Sequence, residues 1–319
     1  MKHLFISLLV LLITNFSFAK NPTHNTSQKD SLRKERNFLE VGGGIQGSLN
    51  AYNNSWINVS GGDNSIVLVG NIFLHHTYTQ NKFFIETKFD AKLGYDRMRV
   101  EKVVNEVKTK EGIWFKNQDE FVLSVAPSFK MSENWYYGAL VKFRSQFVNG
   151  YVSRTEQEPE DLKSKFLTPG YLDATLGVIY KSPNAKWPFT VNLSPLALSG
   201  TYASSEAVRN NGFLYGLPLG KSYKHEGGSA IQVDYDRTFG KTGFLRYRTT
   251  VYSFYGWITN YREAPVVRWE NAIDIKATKL LTTTINFQLY YNKAQCTNVQ
   301  TRTLLSVGLI YTFRNKEKK

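Results

Sequence analysis

Residues 281–291 read Leu-Thr-Thr-Thr-Ile-Asn-Phe-Gln-Leu-Tyr-Tyr, and this stretch limits what the chain can become. Leu281, Thr283, Ile285, Phe287, Leu289 and Tyr291 fall on one parity; Thr282, Thr284, Asn286, Gln288, Tyr290 and Asn292 fall on the other. Successive side chains of a strand point to opposite faces, so a strand here has one apolar and one polar surface. The pattern recurs along most of the chain behind an N-terminal secretion signal. A transmembrane β-barrel has this signature, with apolar residues towards lipid and polar ones towards the interior.

The signal is compact. Lys2 supplies the positive charge, Leu4–Ile13 the apolar core, and Ser17-Phe18-Ala19 a small-x-small cleavage site, so removal is expected after Ala19. That core is too short to span ~30 Å of hydrocarbon. Without a cysteine at the cleavage site, a lipid anchor is not expected. Cys296 is the single cysteine. It falls in an expected loop and excludes an intramolecular disulfide or a thiolate metal cluster. The formal charge is +14. Losing Lys2 with the signal leaves 14 − 1 = +13. That balance favours anionic surroundings such as lipid head groups and lipopolysaccharide. With a secretion signal and no nucleic-acid motif, nucleic acid is not an expected partner.

Residues 20–37 are polar and read as a flexible periplasmic leader. From Phe38 onward twelve strand-like runs are expected, at 38–52, 66–79, 82–97, 119–131, 134–147, 169–182, 187–197, 228–239, 243–257, 265–278, 281–292 and 301–313. The barrel is thus placed at 38–313, with a basic tail at 314–319. The short links (80–81, 132–133, 182–186, 240–242, 279–280) alternate with long ones (53–65, 98–118, 148–168, 198–227, 258–264, 293–300). Outer-membrane barrels have short periplasmic turns and longer extracellular loops, and an even strand count returns both ends to the periplasm. The expected fold is therefore all-β: a twelve-stranded antiparallel transmembrane barrel in the outer membrane of a Gram-negative cell, as a monomer. Tyr78, Phe83, Tyr95, Trp135, Tyr136, Trp187, Tyr255, Trp257, Trp269 and Tyr311 sit near strand ends and suit interfacial girdles.

The polar parity nominates the lumen. Glu86, Lys88, Asp90 and Lys92 alternate with Ile85, Phe89 and Leu93 in one run. Lys142 and Arg144 do so in a second, and Gln232, Asp234 and Asp236 in a third. Arg246 and Arg248 share a fourth; Arg268, Glu270, Asp274 and Lys276 share a fifth. Charge on the lipid face costs ~2–4 kcal/mol at the midplane, which fixes the register. A channel for one sign of ion favours rings of one sign. These signs are interleaved, which suits ion pairing across neighbouring strands, although a solute path is still compatible with them.

Catalytic patterns are weak. Gly42-Gly-Gly44-Ile-Gln-Gly47 matches G-x-G-x-x-G but lacks the following helix of a dinucleotide site. His75 and His76 are adjacent and so face opposite ways, and His225 belongs to the longest loop. No hydrolase or metal motif is present, and neither a cofactor nor a metal is expected. The loop Ser55–Ser65, around Trp56, reads as a structured hairpin loop or a surface recognition element.

Near the end, Leu305-Ser-Val-Gly308-Leu-Ile-Tyr311-Thr-Phe313 resembles the terminal signal read by the barrel assembly machinery, though six residues follow it. Several segments resemble the Bacteroidota proteins grouped as domain of unknown function 3078. They are Ser55–Ser65, Trp135–Leu140 with Phe143–Phe147, Lys165–Tyr171, Asn192–Leu196 and Arg268-Trp269-Glu270-Asn271. The resemblance extends over nearly all of 37–313. It implies an outer-membrane barrel and brings no activity and no catalytic residues. Three roles remain: a non-enzymatic barrel that passes a small solute or supports the envelope, a barrel enzyme acting on lipid or lipopolysaccharide, and a binding partner of another envelope protein.

Overall fold

A computed structural model describes residues 35–50, 65–104, 107–153, 157–240, 242–258, 264–278 and 280–315. The signal and most of the leader, the Trp56 loop and the end of the tail lie outside these residues. The strands in chain order are β1 (Asn37–Asn50), β2 (Ser65–Gln80), β3 (Phe83–Val104), β4 (Val107–Lys130) and β5 (Trp135–Ser145). Next come β6 (Gly150–Tyr151), β7 (Leu162–Ser164), β8 (Gly170–Lys181), β9 (Phe189–Tyr202) and β10 (Tyr223–Phe239). The chain closes with β11 (Leu245–Tyr255), β12 (Val266–Lys276), β13 (Leu281–Asn292) and β14 (Cys296–Arg314).

Twelve of these strands form a closed antiparallel barrel in the order β1-β14-β13-β12-β11-β10-β9-β8-β5-β4-β3-β2. The remaining two, β6 and β7, pair with each other outside it. The ring closes through β1, where Gln46 lies opposite Val69 on β2 and opposite Gly308 on β14. Parity decides the faces. On β14, Leu305, Val307, Leu309, Tyr311 and Phe313 are all exposed while Ser306 is buried. On β1, Ile45 is 69% exposed and its neighbour Gln46 is 7% exposed. A water-soluble core would hide this apolar set; a barrel in hydrocarbon displays it.

The seam is glycine-rich for a steric reason. The rings of Phe73 and the carbonyl of Tyr311 occupy the space where a side chain at Gly42 would start, and the Ile45 carbonyl does the same at Gly308. On β9 the register shifts around Pro195, which has no N–H for the ladder. Ser229 Oγ donates to the Pro195 carbonyl at 2.8 Å.

Aromatic side chains line the end that carries the short turns. Phe83 meets Phe129 at 4.9 Å and Phe129 meets Tyr137 at 5.5 Å. Trp135 meets Tyr180 at 5.0 Å, Tyr180 meets Phe189 at 5.9 Å, and Trp187 meets Tyr235 at 6.4 Å. Such a belt suits a membrane interface. Tyr136 does not join it: it is buried on the inner face, with the Lys181 ammonium 4.8 Å above its ring.

The strict alternation of short and long links is corrected at the other end. The expected link 98–118 is mostly strand, since β3 and β4 stay paired up to Val104 opposite Val107. The link 293–300 is likewise reduced to 293–295, and Cys296 begins β14 rather than lying in a loop. The link 198–227 shortens to 203–222 and carries one helical turn, α1 (Glu206–Asn210). A strand that runs beyond the hydrocarbon need not keep an apolar face, so no apolar stripe is required there.

Two segments at this end pack together. Asn211 Nδ2 donates to the carbonyls of Pro159 and Leu162 at 2.9 and 3.0 Å, and Tyr215 OH donates to the Lys163 carbonyl. Thr168 Oγ1 accepts the backbone N–H of Ser205 at 3.1 Å. Thr168, Ala203 and Val208 are fully buried. The described parts of segments 146–169 and 203–222 thus form one cap.

Candidate functional site

The inner face divides into two zones. In the half nearer the short turns, ion pairs line a water-accessible wall. Lys88 meets Glu86 at 3.0 Å, and their side chains are 42% and 46% exposed. His75 meets Asp90 at 3.0 Å. Arg246 grips Asp236 with two nitrogens, at 2.8 and 2.6 Å. Arg248 donates to Asp274 Oδ2 at 2.8 Å, and Thr284 Oγ1 donates to Asp274 Oδ1 at 3.0 Å. Asp234 accepts from Thr250 and Gln232, each at 2.8 Å. Glu40 and Arg314 join β1 to β14 at 2.9 Å. Interleaved signs therefore satisfy one another, within β3 for Lys88 and Glu86 and between neighbouring strands for the other ion pairs.

Towards the capped end the side chains meet across the barrel. Arg268 on β12 reaches Asp173 on β8, four strand steps around the ring, at 3.9 Å; the two are 9% and 10% exposed. Ser199 Oγ donates to Asp173 at 2.9 Å, and the Arg268 guanidinium lies 5.7 Å from the Tyr252 ring and 5.6 Å from Tyr290. A cation within ~6 Å of an aromatic face is attracted by the ring quadrupole, more so when desolvated. Tyr171 on β8 accepts from Gln295, beyond β13, at 3.2 Å. Arg302 on β14 donates to the Asn117 carbonyl on β4 at 3.4 Å. A Cβ placed at Gly216 in the cap would lie 3.1 Å from the Ala294 methyl in the β13–β14 turn, so the cap extends over the mouth. The gap among Lys92, Gln118, Asn286, Gln288, Arg302 and Leu304 is about 10 Å³, room for one water.

The lumen residues expected from the sequence are distributed over these zones. Glu86, Lys88, Asp90, Asp234, Asp236, Arg246, Arg248 and Asp274 belong to the lower ion pairs. Arg144 lies over Tyr171 at 4.8 Å and meets Glu120 at 3.8 Å. Glu270 on β12 lies opposite Thr250 and Gln288, Lys142 on β5 opposite Ser124 and Asp173, and Lys92 on β3 opposite Asn71 and Glu120. Lys276 is exposed at the strand end nearest the short turns. Sequence reasoning did not single out Asp173, Tyr171, Tyr252, Tyr290, Gln295 and Arg302. The parity of β8 would have flagged Tyr171 and Asp173, but nothing local says which residues meet across a barrel.

The three described histidines are held separately. His75 meets Asp90, His76 meets Asn37 Oδ1 at 2.8 Å on the opposite face, and His225 lies 3.5 Å from the Tyr202 hydroxyl. None of these pairs brings a serine or threonine hydroxyl to an imidazole. Among the described residues, no group of three or more His, Cys, Asp or Glu side chains is placed to hold a metal ion.

Comparison with solved structures returns membrane barrels. The translocator domain of autotransporter NalP from Neisseria meningitidis is 9% identical, with 98% of this chain and 96% of that chain covered and a TM-score of 0.36. An outer membrane channel from Pseudomonas putida F1 is 11% identical over 87% of this chain and 95% of that one, with a TM-score of 0.39. The Pseudomonas putida toluene transporter TodX is 8% identical over 88% and 89%, with a TM-score of 0.29. The strand pairing itself establishes the barrel. No curated protein matches. Over residues 48–151 the chain matches the family described as protein of unknown function (DUF3078), the family that its sequence resembles.

Proposed function

We propose that this protein is an outer-membrane barrel that acts as a non-enzymatic envelope component, stoppered at its extracellular end and open to water from the periplasm. The single observation that carries this reading is the set of contacts across the lumen, Arg268–Asp173, Tyr171–Gln295 and Arg302–Asn117, under the cap. Buried charge is costly unless paired, and the Arg268–Asp173 pair with its aromatic neighbours fills the space a solute would need. The exposed apolar face, the aromatic belt and the secretion signal support the outer membrane as its site, with residues 20–37 as a periplasmic leader. Lipid and lipopolysaccharide are then its immediate surroundings, and the barrel assembly machinery its route of insertion.

A second reading rests on the exposure of Lys88 and Glu86. A small solute could enter from the periplasm and cross when the stopper moves.

Cysteine labelling tests location and orientation. Cys296 opens β14 beside the extracellular turn and is free; Asn81 lies in the β2–β3 turn at the opposite end. On intact Gram-negative cells, a maleimide on a polyethylene glycol chain too large for porins should label Cys296. Asn81→Cys in a Cys296→Ser background should react only after the outer membrane is permeabilised. Labelling of Asn81→Cys on intact cells would overturn the orientation.

A further inference from the structure

Beside the cap is a cavity of about 540 Å³, within the range of small-ligand sites. The side chains of Tyr95, Phe115 and Tyr151 supply aromatic surface, and Asn149, Gln157 and Lys163 supply polar edges. Among the described residues none that lines it is acidic. Its floor is rigid. Lys116 Nζ donates to Asp119 Oδ2 at 3.0 Å, Gln146 Oε1 at 3.0 Å and the Val148 carbonyl at 2.9 Å. Gln157 Nε2 is tied to the Trp114 carbonyl at 2.9 Å. Asn149 Nδ2 donates to the Tyr151 hydroxyl at 3.3 Å, which holds that ring in place. With the Lys116 charge met by Asp119, the exposed Lys163 ammonium is the unbalanced charge of the lining.

Height adds to this. Lys116 is 130 − 116 = 14 residues above the end of β4 at Lys130. At ~3.3 Å per residue and a tilt near ~45°, that is roughly 33 Å above the periplasmic turn, against an apolar band of ~25 Å. The cavity is therefore level with the outer-leaflet head groups.

We infer that this cavity binds an anionic sugar. Aromatic faces pack against the C–H faces of a pyranose, amides and hydroxyls meet its hydroxyl groups, and the Lys163 ammonium meets a phosphate or carboxylate. Such a group has two sources: the head group of lipopolysaccharide or a free acidic saccharide. The inference does not depend on whether the lumen conducts.

Calorimetry on the full barrel in detergent tests it with three probes: deacylated lipopolysaccharide oligosaccharide, galacturonic acid and neutral galactose. Binding of the first alone assigns the lipid head group as source; binding of galacturonic acid assigns a free saccharide. In either case Tyr151→Ala and the exposed Lys163→Gln should each weaken affinity by about tenfold, and galactose should bind more weakly than the anionic probe that binds. Heat-modifiable mobility on gels confirms that both variants fold. The inference is overturned if neither anionic probe binds, if galactose binds as tightly as the anionic probe that binds, or if folded Lys163→Gln binds as the parent does.

Discussion

Asp119→Ala should release the segment after β5 from the barrel wall. The Asp119 side chain is 1% exposed and that of its partner Lys116 is 12% exposed, at 3.0 Å. Its two oxygens also accept the backbone N–H groups of Phe147 and Val148, at 2.8 and 2.9 Å. Removing one member of a buried pair costs ~3–5 kcal/mol, because the other charge is left uncompensated. Each stranded N–H adds ~1–3 kcal/mol unless water reaches it. Opening of residues 146–164 would relieve all three groups, so the penalty should appear as local opening. Taking ~3 kcal/mol as a lower figure, the opening equilibrium rises roughly 150-fold, since ~1.4 kcal/mol is tenfold. Hydrogen exchange of the folded barrel reads this directly: amides of 146–164 should exchange about two orders of magnitude faster, with β10–β14 unchanged. Lys116→Met with Asp119→Leu should recover much of the protection, because replacing both partners of a buried pair by apolar groups is often neutral. Unchanged exchange in Asp119→Ala would refute the reasoning, as would a double variant less protected than Asp119→Ala.

Three further outcomes follow from burial, packing and titration. Asp173→Asn, which strips the carboxylate from the enclosed Arg268 pair, should cost ~3–5 kcal/mol in urea unfolding from lipid. Asp236→Asn, in a pair 29% and 43% exposed, should cost no more than ~1 kcal/mol; the reverse order would contradict the two-zone lumen. Gly308→Ala pushes a methyl into the Ile45 carbonyl at the β1–β14 seam and should cost ~1–3 kcal/mol, seen as a lower gel-shift midpoint on heating. Tyr215, in the cap, has its phenol pushed well above the ordinary range by burial. Its folded form keeps the proton while the opened cap ionises near ~10, so this contribution is full below ~10 and is lost as pH rises beyond it. Proteolysis of 203–222 should accelerate in that range, and Tyr215→Phe should remove the dependence.

The strands were legible wherever one face meets lipid. Leu281–Tyr291 and Leu305–Phe313 alternate because a charge turned outwards in hydrocarbon is costly, so parity is strongly selected there. Met98–Gln118 carries no such constraint. Its apolar residues keep no period, and a long hairpin reads as a loop. Tyr136 looked like a girdle residue by composition, but one step of parity from Trp135 turns it inwards. The stopper was hidden for another reason. Tyr171 and Gln295, or Arg268 and Asp173, lie far apart in sequence, and which of them meet depends on ring closure and stagger. Parity says that each points inwards and leaves the encounter unspecified.

Single-channel recording in planar bilayers addresses the central claim most directly. The wild-type barrel should give no sustained open steps in simple salt, because Arg268, Asp173, Tyr171 and Gln295 meet across its lumen beneath the cap. A variant carrying Arg268→Ala, Tyr171→Ala and Tyr252→Ala, with residues 203–222 shortened, should give discrete ohmic steps. Steady open steps from the wild type, or silence from the folded variant, would contradict a barrel stoppered by these residues.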